Sequence, residues 1–484
     1  MTLDRDTLFI DGTWAAPAGA GLIEVVSPHS EEVVARVPEG TAADIDAAVE
    51  AARRAFDTGP WPRMSPEERI EVVQAFANLY AGRLGEMAEL ITTEMGSPHS
   101  FANLGQAPAP WMMIETFIGI AKAFPWEERR PGMLGTDMIV RREPVGVVAA
   151  IPPWNVPQFT TISKLVPALL AGCTVVLKPA PESPLDAYLM AELLQEAGLP
   201  GGVVNIVAAG REVGEHLVAH PGVDKVAFTG STAAGRKIAA VCGEQLKRVS
   251  LELGGKSAAI VLDDADLAST MEGLKFTSLM NSGQACAAQT RILASRARYD
   301  EVVDALAETV GGMRVGDPAD PATDIGPLVA RRQQERVEKY IALGQEEGAR
   351  AVVGGNGMPE GIERGWYVRP TVFADVDNSM RIAQEEIFGP VLSVIPYDDV
   401  DDAVRIANDS EYGLAGTVWT ADPDAGLDVA RQVRAGTFGV NTYTMDFAGP
   451  FGGYKSSGIG RELGPEGLAQ YTEYKSIYPS TPAT

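Results

Sequence analysis

Cysteine and histidine are scarce in this sequence: three of the first and four of the second among 484 residues. The cysteines, Cys173, Cys242 and Cys286, are odd in number and far apart, with no CxxC pair. That excludes a disulfide framework and points to a reducing compartment. Of the histidines (His29, His99, His216 and His220), only the last two have helical i,i+4 spacing. No third ligand or HExxH pattern accompanies them, so a solvated helix face is expected there, and no metal. Basic residues are outnumbered 40 to 65, for a formal net charge of -25. Nucleic-acid binding needs a basic face, so that class of partner is not expected.

Long apolar runs are missing as well. The most apolar stretch, 145–177, is interrupted by Lys164 and several prolines. No membrane-crossing helix is expected from it. The N-terminal MTLDRDTLFIDG is acidic and has no apolar core of a secretion signal. No repeat or low-complexity block is present. The composition reads as a cytoplasmic globular protein, and the length predicts two or three domains.

What is there is an α/β pattern. Thr41 is placed to cap a helix with Ile45, Val49, Ala52 and Phe56 on its apolar face. Ser65-Pro66-Glu67-Glu68 is a capping box that opens a second helix, with Ile70, Val73, Ala77, Tyr80 and Leu84 on one face. From Val145 short apolar strands alternate with helices: VGVVAAI, TVVLK (174–178), VVNIV (203–207), KVAFT (225–229) and RVSLEL (248–253). Ser183-Pro184 is expected to start the helix that ends at Gly198. A second α/β set follows Gly255. Such alternation predicts parallel sheets covered on both faces, with ligands at the carboxyl ends of the strands. The last stretch, YTEYKSIYPS, alternates like an edge strand. With no partner nearby in sequence, it is expected to pair across a subunit boundary.

Several residues have chemical potential. Cys286, in NSGQACAAQTR, sits among small and polar residues rather than in an apolar run. Taken alone, most free cysteines are inert, so this one could be either packing or nucleophile. With no histidine in a glycine-rich or strand-end setting, a carboxylate is the better candidate for its base. Glu252 ends an apolar strand and precedes two glycines. Partial burial there raises a carboxyl towards the useful range; an exposed strand end is the plainer alternative. Asn155, in IPPWN, offers an amide to a developing oxyanion, or is simply a turn residue. Lys178 closes a buried strand. GSTAAG, 230–235, puts Ser231 and backbone N–H groups at a helix start, but lacks the GxGxxG spacing.

PWN at 153–155, KPA at 178–180, FTGSTAAG at 228–235, LELGGKS at 251–257, GQAC at 283–286, EEIFGPV at 385–391 and PFGGYKSSGIGRE at 450–462 together resemble the aldehyde dehydrogenase superfamily over nearly the whole chain. The resemblance implies a Rossmann-type nucleotide-binding domain (1–124 and 145–255), an α/β catalytic domain (256–456) and an oligomerisation element (125–144 and 471–484). It implies a homodimer or homotetramer, with the homotetramer favoured. It implies NAD(P)-dependent oxidation of an aldehyde through a Cys286 thioester, hydrolysed by water that Glu252 activates, with Asn155 as oxyanion donor. Lys178 would hold the adenosine ribose, Gly230 and Ser231 the pyrophosphate, Gly210 and Gly214 the adenine side, and Glu386 and Phe388 the nicotinamide ribose and ring. Ile151, Pro153, Trp154, Ala180, Phe228 and Leu253 complete the implied cofactor site.

The position three after Lys178, often Glu in NAD-preferring members, is Pro181 here, followed by Glu182. NADP is therefore possible, and NAD favoured, because no basic residue lies close by in sequence. Val156, Phe159, Thr160, Ser163 and the loop 443–447 suggest an apolar substrate tunnel. Two other readings compete: a CoA-acylating semialdehyde dehydrogenase, which generally lacks the equivalent of Glu252, and a non-catalytic ligand-binding protein on the same fold.

Overall fold

Two mostly parallel sheets organise the chain in the computed structural model, which describes residues 3–133 and 135–479. The first has eight strands in the order Gly458–Ile459, Arg248–Glu252, Lys225–Thr229, Val147–Ile151, Thr174–Leu177, Val204–Ile206, Leu8–Ile10 and Thr13–Ala15. Its five central strands run parallel. Val147–Ile151 and Thr174–Leu177 are buried along their whole length, as a sheet covered on both faces requires. The second sheet has seven strands, in the order Arg350–Val353, Thr371–Ala374, Val391–Tyr397, Arg291–Ser295, Ala258–Val261, Gly416–Trp419 and Gly439–Val440.

Helix starts follow the expected chemistry. Thr41 and Asp44 form a reciprocal capping box on helix Ala42–Asp57. Ser65 and Glu68 do the same on helix Pro66–Ala81. Leu84, placed on that helix by periodicity, instead opens the next one, Leu84–Met95, because the chain breaks at Gly82. Ser183 does not cap helix Leu185–Glu196; its hydroxyl is buried without a partner. The carboxylate of Glu94 takes that place, accepting from the N–H groups of Leu185 at 2.8 Å and Asp186 at 3.2 Å.

The N-terminal strands were not anticipated. Their signal is Asp11-Gly12, both with positive φ (55° and 72°), between Leu8–Ile10 and Thr13–Ala15. Two left-handed residues make the tight hairpin whose twist suits antiparallel strands. The hairpin extends the first sheet through Phe9 beside Ile206.

Within 125–144, strands Glu127–Arg130 and Met138–Pro144 pair antiparallel. The C-terminal strand Thr472–Ile477 corrects an expectation: it pairs within the chain, antiparallel to Met138–Pro144. Its partner lies about 330 residues upstream, beyond the reach of local pattern reading. Leu134 and residues 480–484, assigned to the oligomerisation element, lie outside the described residues, as do Met1 and Thr2.

Candidate active site

Cys286 follows a backbone segment in an uncommon conformation. Asn281, Ser282 and Gly283 have φ of 53°, 60° and 74°. Two successive non-glycine residues in the left-handed region persist only where surroundings over-determine them. Here they do. Asn281 Nδ2 donates to the Asn155 carbonyl at 2.8 Å, and Ser282 Oγ donates to the Gly326 carbonyl at 3.0 Å. Gln284 Oε1 accepts from the Val329 N–H at 3.0 Å. A Cβ on Gly283 would lie 2.3 Å from the Gly389 carbonyl oxygen, so only glycine fits.

Asn155 is buried and joined to the same loop. Its Nδ2 donates to the Gln284 carbonyl at 2.9 Å, which leaves the second amide hydrogen available. Glu252 ends its strand beside Thr229 on one side and Gly458 on the other. It is 3 % exposed, deeper than the partial burial expected from sequence, and neither carboxylate oxygen has a hydrogen-bond partner. The following glycines allow two close approaches. A Cβ on Gly254 would lie 2.6 Å from Glu386 Oε2, and one on Gly255 would lie 2.4 Å from the Cys286 carbonyl oxygen. The turn thus draws Glu252, Cys286 and Glu386 together.

Their electrostatics follow from this crowding. Burial pushes the Cys286 thiol up to about 12, and the charges of Glu386 and Glu252 add to the effect. Burial also holds Glu252 well above the usual carboxylate range; Glu462 reinforces this, while Lys164 and Arg461 oppose it. Both shifts have one cause, and both favour the protonated, uncharged forms of the thiol and the carboxyl.

Lys164 and Glu462 were not singled out by sequence reading. Lys164 is fully buried in helix Pro157–Ala171 and donates to Glu462 Oε1 and Thr229 Oγ1, both at 2.6 Å. Ser163 Oγ donates to Glu462 Oε2 at 2.7 Å. Ser163 was expected to line a tunnel; its hydroxyl serves this network instead, and the Thr160 hydroxyl turns back to the Val156 carbonyl at 3.0 Å. Half-buried Phe159 meets Phe447 edge-on, centroids 6.0 Å apart, and Tyr443 shares a 2.8 Å hydrogen bond with Thr437.

The residues expected around a dinucleotide gather at the carboxyl ends of the first sheet. Ile151 and Phe228 are register partners. Lys178 Nζ donates to the Pro179 and Ala209 carbonyls at 2.9 and 2.8 Å, and burial lowers it to about 8. Ala180 is buried beside it. Gly210 precedes helix Arg211–Ala219; a Cβ on Gly214 would lie 3.3 Å from the Lys178 stem. Gly230 N–H donates to the Glu252 carbonyl at 3.0 Å, and Ser231 Oγ caps the next helix by accepting from Ala234 N–H at 3.3 Å. Leu253 fills the space that a Cβ on Gly235 would need. Pro153 leads to Trp154, whose ring meets Phe388 edge-on at 5.4 Å. Glu386 Oε1 accepts from Gly255 N–H at 3.0 Å.

Phe388 is left-handed, with φ of 65°. Helix Arg331–Glu346, absent from the sequence reading, holds it there. Gln333 Nε2 donates to the Phe388 carbonyl at 2.7 Å, and Arg336 donates to the Glu386 and Ile387 carbonyls. A surface recess at Val49, Arg53 and His220 lies at the opposite, amino-terminal edge of the strands, and Arg53 is engaged there by Asp224 and Asp57. His216 and His220 both face Asp46, at 2.6 and 3.5 Å. His220 Nδ1 accepts from the Gly222 N–H at 3.0 Å, which leaves Nε2 as the protonated nitrogen of the neutral ring.

Known proteins resemble this chain over nearly its whole length. The profile described as "Aldehyde dehydrogenase family" matches residues 14–477. Geranial dehydrogenase of Castellaniella defragrans is 49% identical over 478 residues, covering 99% of each chain. A 3-succinoylsemialdehyde-pyridine dehydrogenase of Pseudomonas is 44% identical, covering 98% of each. Among solved structures, an aldehyde dehydrogenase of Mycobacterium tuberculosis complexed with NAD is 51% identical at TM-score 0.97, covering 99% of both chains. A cysteine-to-alanine variant of aldehyde dehydrogenase C from Pseudomonas syringae, complexed with NAD and octanal, is 43% identical at TM-score 0.95, covering 99% of this chain and 98% of that one.

Proposed function

The chain belongs to the aldehyde dehydrogenase family, and from that premise we propose that Cys286, Glu252 and Asn155 carry out its oxidation of an apolar aldehyde to the carboxylic acid. The observation that carries the assignment is Glu252: a buried carboxylate with both oxygens free, at a turn packed on Cys286. A structural carboxylate buried this deeply would be paired.

The cofactor is NAD, as in the related complexes. The strand ends fit it: two helix starts, at Gly210 and Ser231, present backbone N–H groups to one crevice, and Lys178 keeps one donor beyond its two carbonyl partners. When bound, NAD supplies the hydride acceptor. Lys178 would hold the adenosine ribose, Gly230 and Ser231 the pyrophosphate, and Glu386 and Phe388 the nicotinamide end. Ile151, Pro153, Trp154, Ala180, Gly210, Gly214, Phe228 and Leu253 shape the crevice.

Cys286 Sγ releases its proton to water, and the resulting thiolate bonds to the aldehyde carbon. The oxygen takes the electron pair of the C=O bond and is held by the free Asn155 N–H and the Cys286 backbone N–H. Two such donors in a dry site stabilise a developing oxyanion strongly, at about 3 kcal/mol for one well-placed donor. After oxidation an acyl group remains on Cys286 as a thioester. Glu252 takes a proton from water as that water attacks the acyl carbon. The C–S bond breaks and the acid leaves. Lys164 and Glu462, behind Glu252, set the charge it experiences.

Phe159, Met445 and Phe447 are half-buried apolar residues that, like Cys286, pack against the core of the first sheet, and Phe159 meets Phe447. They fit a hydrocarbon chain, and the octanal and geranial relatives support that class. The division into a nucleotide-binding half (1–124 and 145–255), a catalytic half (256–456) and an oligomerisation element (125–144 and 471–484) is our reading too, with residues 458–459 added to the first half because they extend its sheet. A homodimer or homotetramer in a reducing, cytoplasmic compartment suits the free cysteines and the exposed Tyr474 on the terminal strand.

An aldehyde panel tests this function, with NAD reduction followed in the presence and absence of CoA. We expect octanal and geranial to be turned over to acids with no need of CoA. Thioester products dependent on CoA would favour the acylating reading instead.

A further inference from the structure

Arg332 lies on helix Arg331–Glu346 in the second half of the chain, and its guanidinium pairs with Glu182, 150 residues away in sequence. Glu182 belongs to the corner Lys178-Pro179-Ala180-Pro181-Glu182, where the adenosine ribose is placed above. The sequence holds no basic residue near that corner beyond Lys178; the fold supplies one. The Glu182 side chain is 17% exposed and Arg332 is 61% exposed, so the pair lies at the rim with its cation towards solvent. The neighbouring Arg331 is likewise engaged, by Glu31. Lys178 itself is turned onto two backbone carbonyls.

This arrangement determines what a 2′-phosphate on the ribose would meet. Pro181 can neither accept hydrogen bonds from ribose hydroxyls nor repel a phosphate. The carboxylate one residue on repels it, and the guanidinium that would bind it in a bidentate fork is already occupied. We propose that the Glu182–Arg332 pair is the element that makes this chain select NAD over NADP. Glu182 acts twice, as a like charge facing the phosphate and as a mask on Arg332. Released from Glu182, Arg332 becomes a phosphate site. The proposal rests on the reading of Lys178 as the ribose-holding residue.

Direct binding tests it without turnover. Dissociation constants for NAD and NADP are measured by calorimetry on the intact protein, for wild type, Glu182→Gln, Arg332→Ala, the double variant and Lys178→Ala. Loss of a rim ion pair costs little stability, so these proteins should fold. Glu182→Gln should bind NADP about tenfold more tightly, with NAD changed less than about twofold, since screening limits a rim charge to an effect of this size. The double variant should lose most of that gain, keeping only the part due to removal of the Glu182 charge, and Arg332→Ala alone should show none. An unchanged NADP constant in Glu182→Gln, or a gain that persists in full in the double variant, overturns the proposal. If Lys178→Ala weakens both cofactors while Glu182→Gln is neutral, the ribose reading stands and only the selection by this pair falls. If Lys178→Ala weakens neither, both fall.

Discussion

Glu252 shows how far a single residue can be understood from the sequence. Its place at a strand end before two glycines was visible, and so was its pairing with a lone reactive-looking cysteine. Its environment was not: Lys164, Thr229 and Glu462 come from three distant segments, and only the fold brings them together. The same holds for Gln333 and Arg336, whose partners are backbone carbonyls some fifty residues away. The charge around Glu252 has a measurable consequence. Burial and Glu462 both raise its pKa, so turnover limited by deacylation should rise with pH as Glu252 loses its proton, above the usual carboxylate range. Glu462→Gln removes the like charge while keeping a side chain of the same shape for Ser163 and Lys164. The rising limb of the kcat profile should then move to lower pH. A limb that stays in place, or moves up, means that Glu462 does not set the charge on the base.

Helix Leu185–Glu196 makes the corresponding point for an element. Ser183-Pro184 and Gly198 bracket it in the sequence, yet its first N–H groups are satisfied by Glu94 from another helix. Beside Glu94 lies Asp186, which accepts from Gln158 at 2.9 Å. Both carboxyls are raised by burial, Asp186 to about 7, and the charge of Asp186 raises Glu94 further. The folded chain therefore keeps a proton that the unfolded chain has already released. This contribution to stability is fully present below the ordinary aspartate value and is lost as pH rises towards 7. Asp186→Asn retains an acceptor for Gln158 and cannot ionise. Its melting temperature should fall less than that of wild type between about pH 4 and pH 7 and exceed it at neutral pH. Parallel curves for the two proteins would show that this pair is not titrating. The Asp11-Gly12 hairpin is the opposite case, an element whose local signal was sufficient though its place in the sheet was not.

At the scale of the whole molecule, strand–helix alternation was enough to anticipate two parallel sheets, because that pattern permits few other solutions. The path of the last strand has no local trace in the pattern; the family resemblance alone groups 471–484 with 125–144, and residues 472–477 pair with 139–144 there. That strand presents Tyr474 and Ile477 at the surface, and Tyr478 follows it, also exposed. On the proposed homo-oligomer, Ile477→Asp should therefore shift sedimentation velocity towards smaller species while leaving the melting of the isolated subunit nearly unchanged. An unaltered sedimentation coefficient would place the subunit contact elsewhere. In the proposed catalytic cycle Cys286 carries the acyl group and Glu252 releases it. The most direct test is the intact mass of Glu252→Gln after incubation with NAD and octanal, followed by peptide mapping. The account predicts one acyl group per chain, on the peptide containing Cys286, with a single burst of reduced NAD and then a stall. Steady turnover with no adduct, or an acyl group on Cys173 or Cys242, would contradict it.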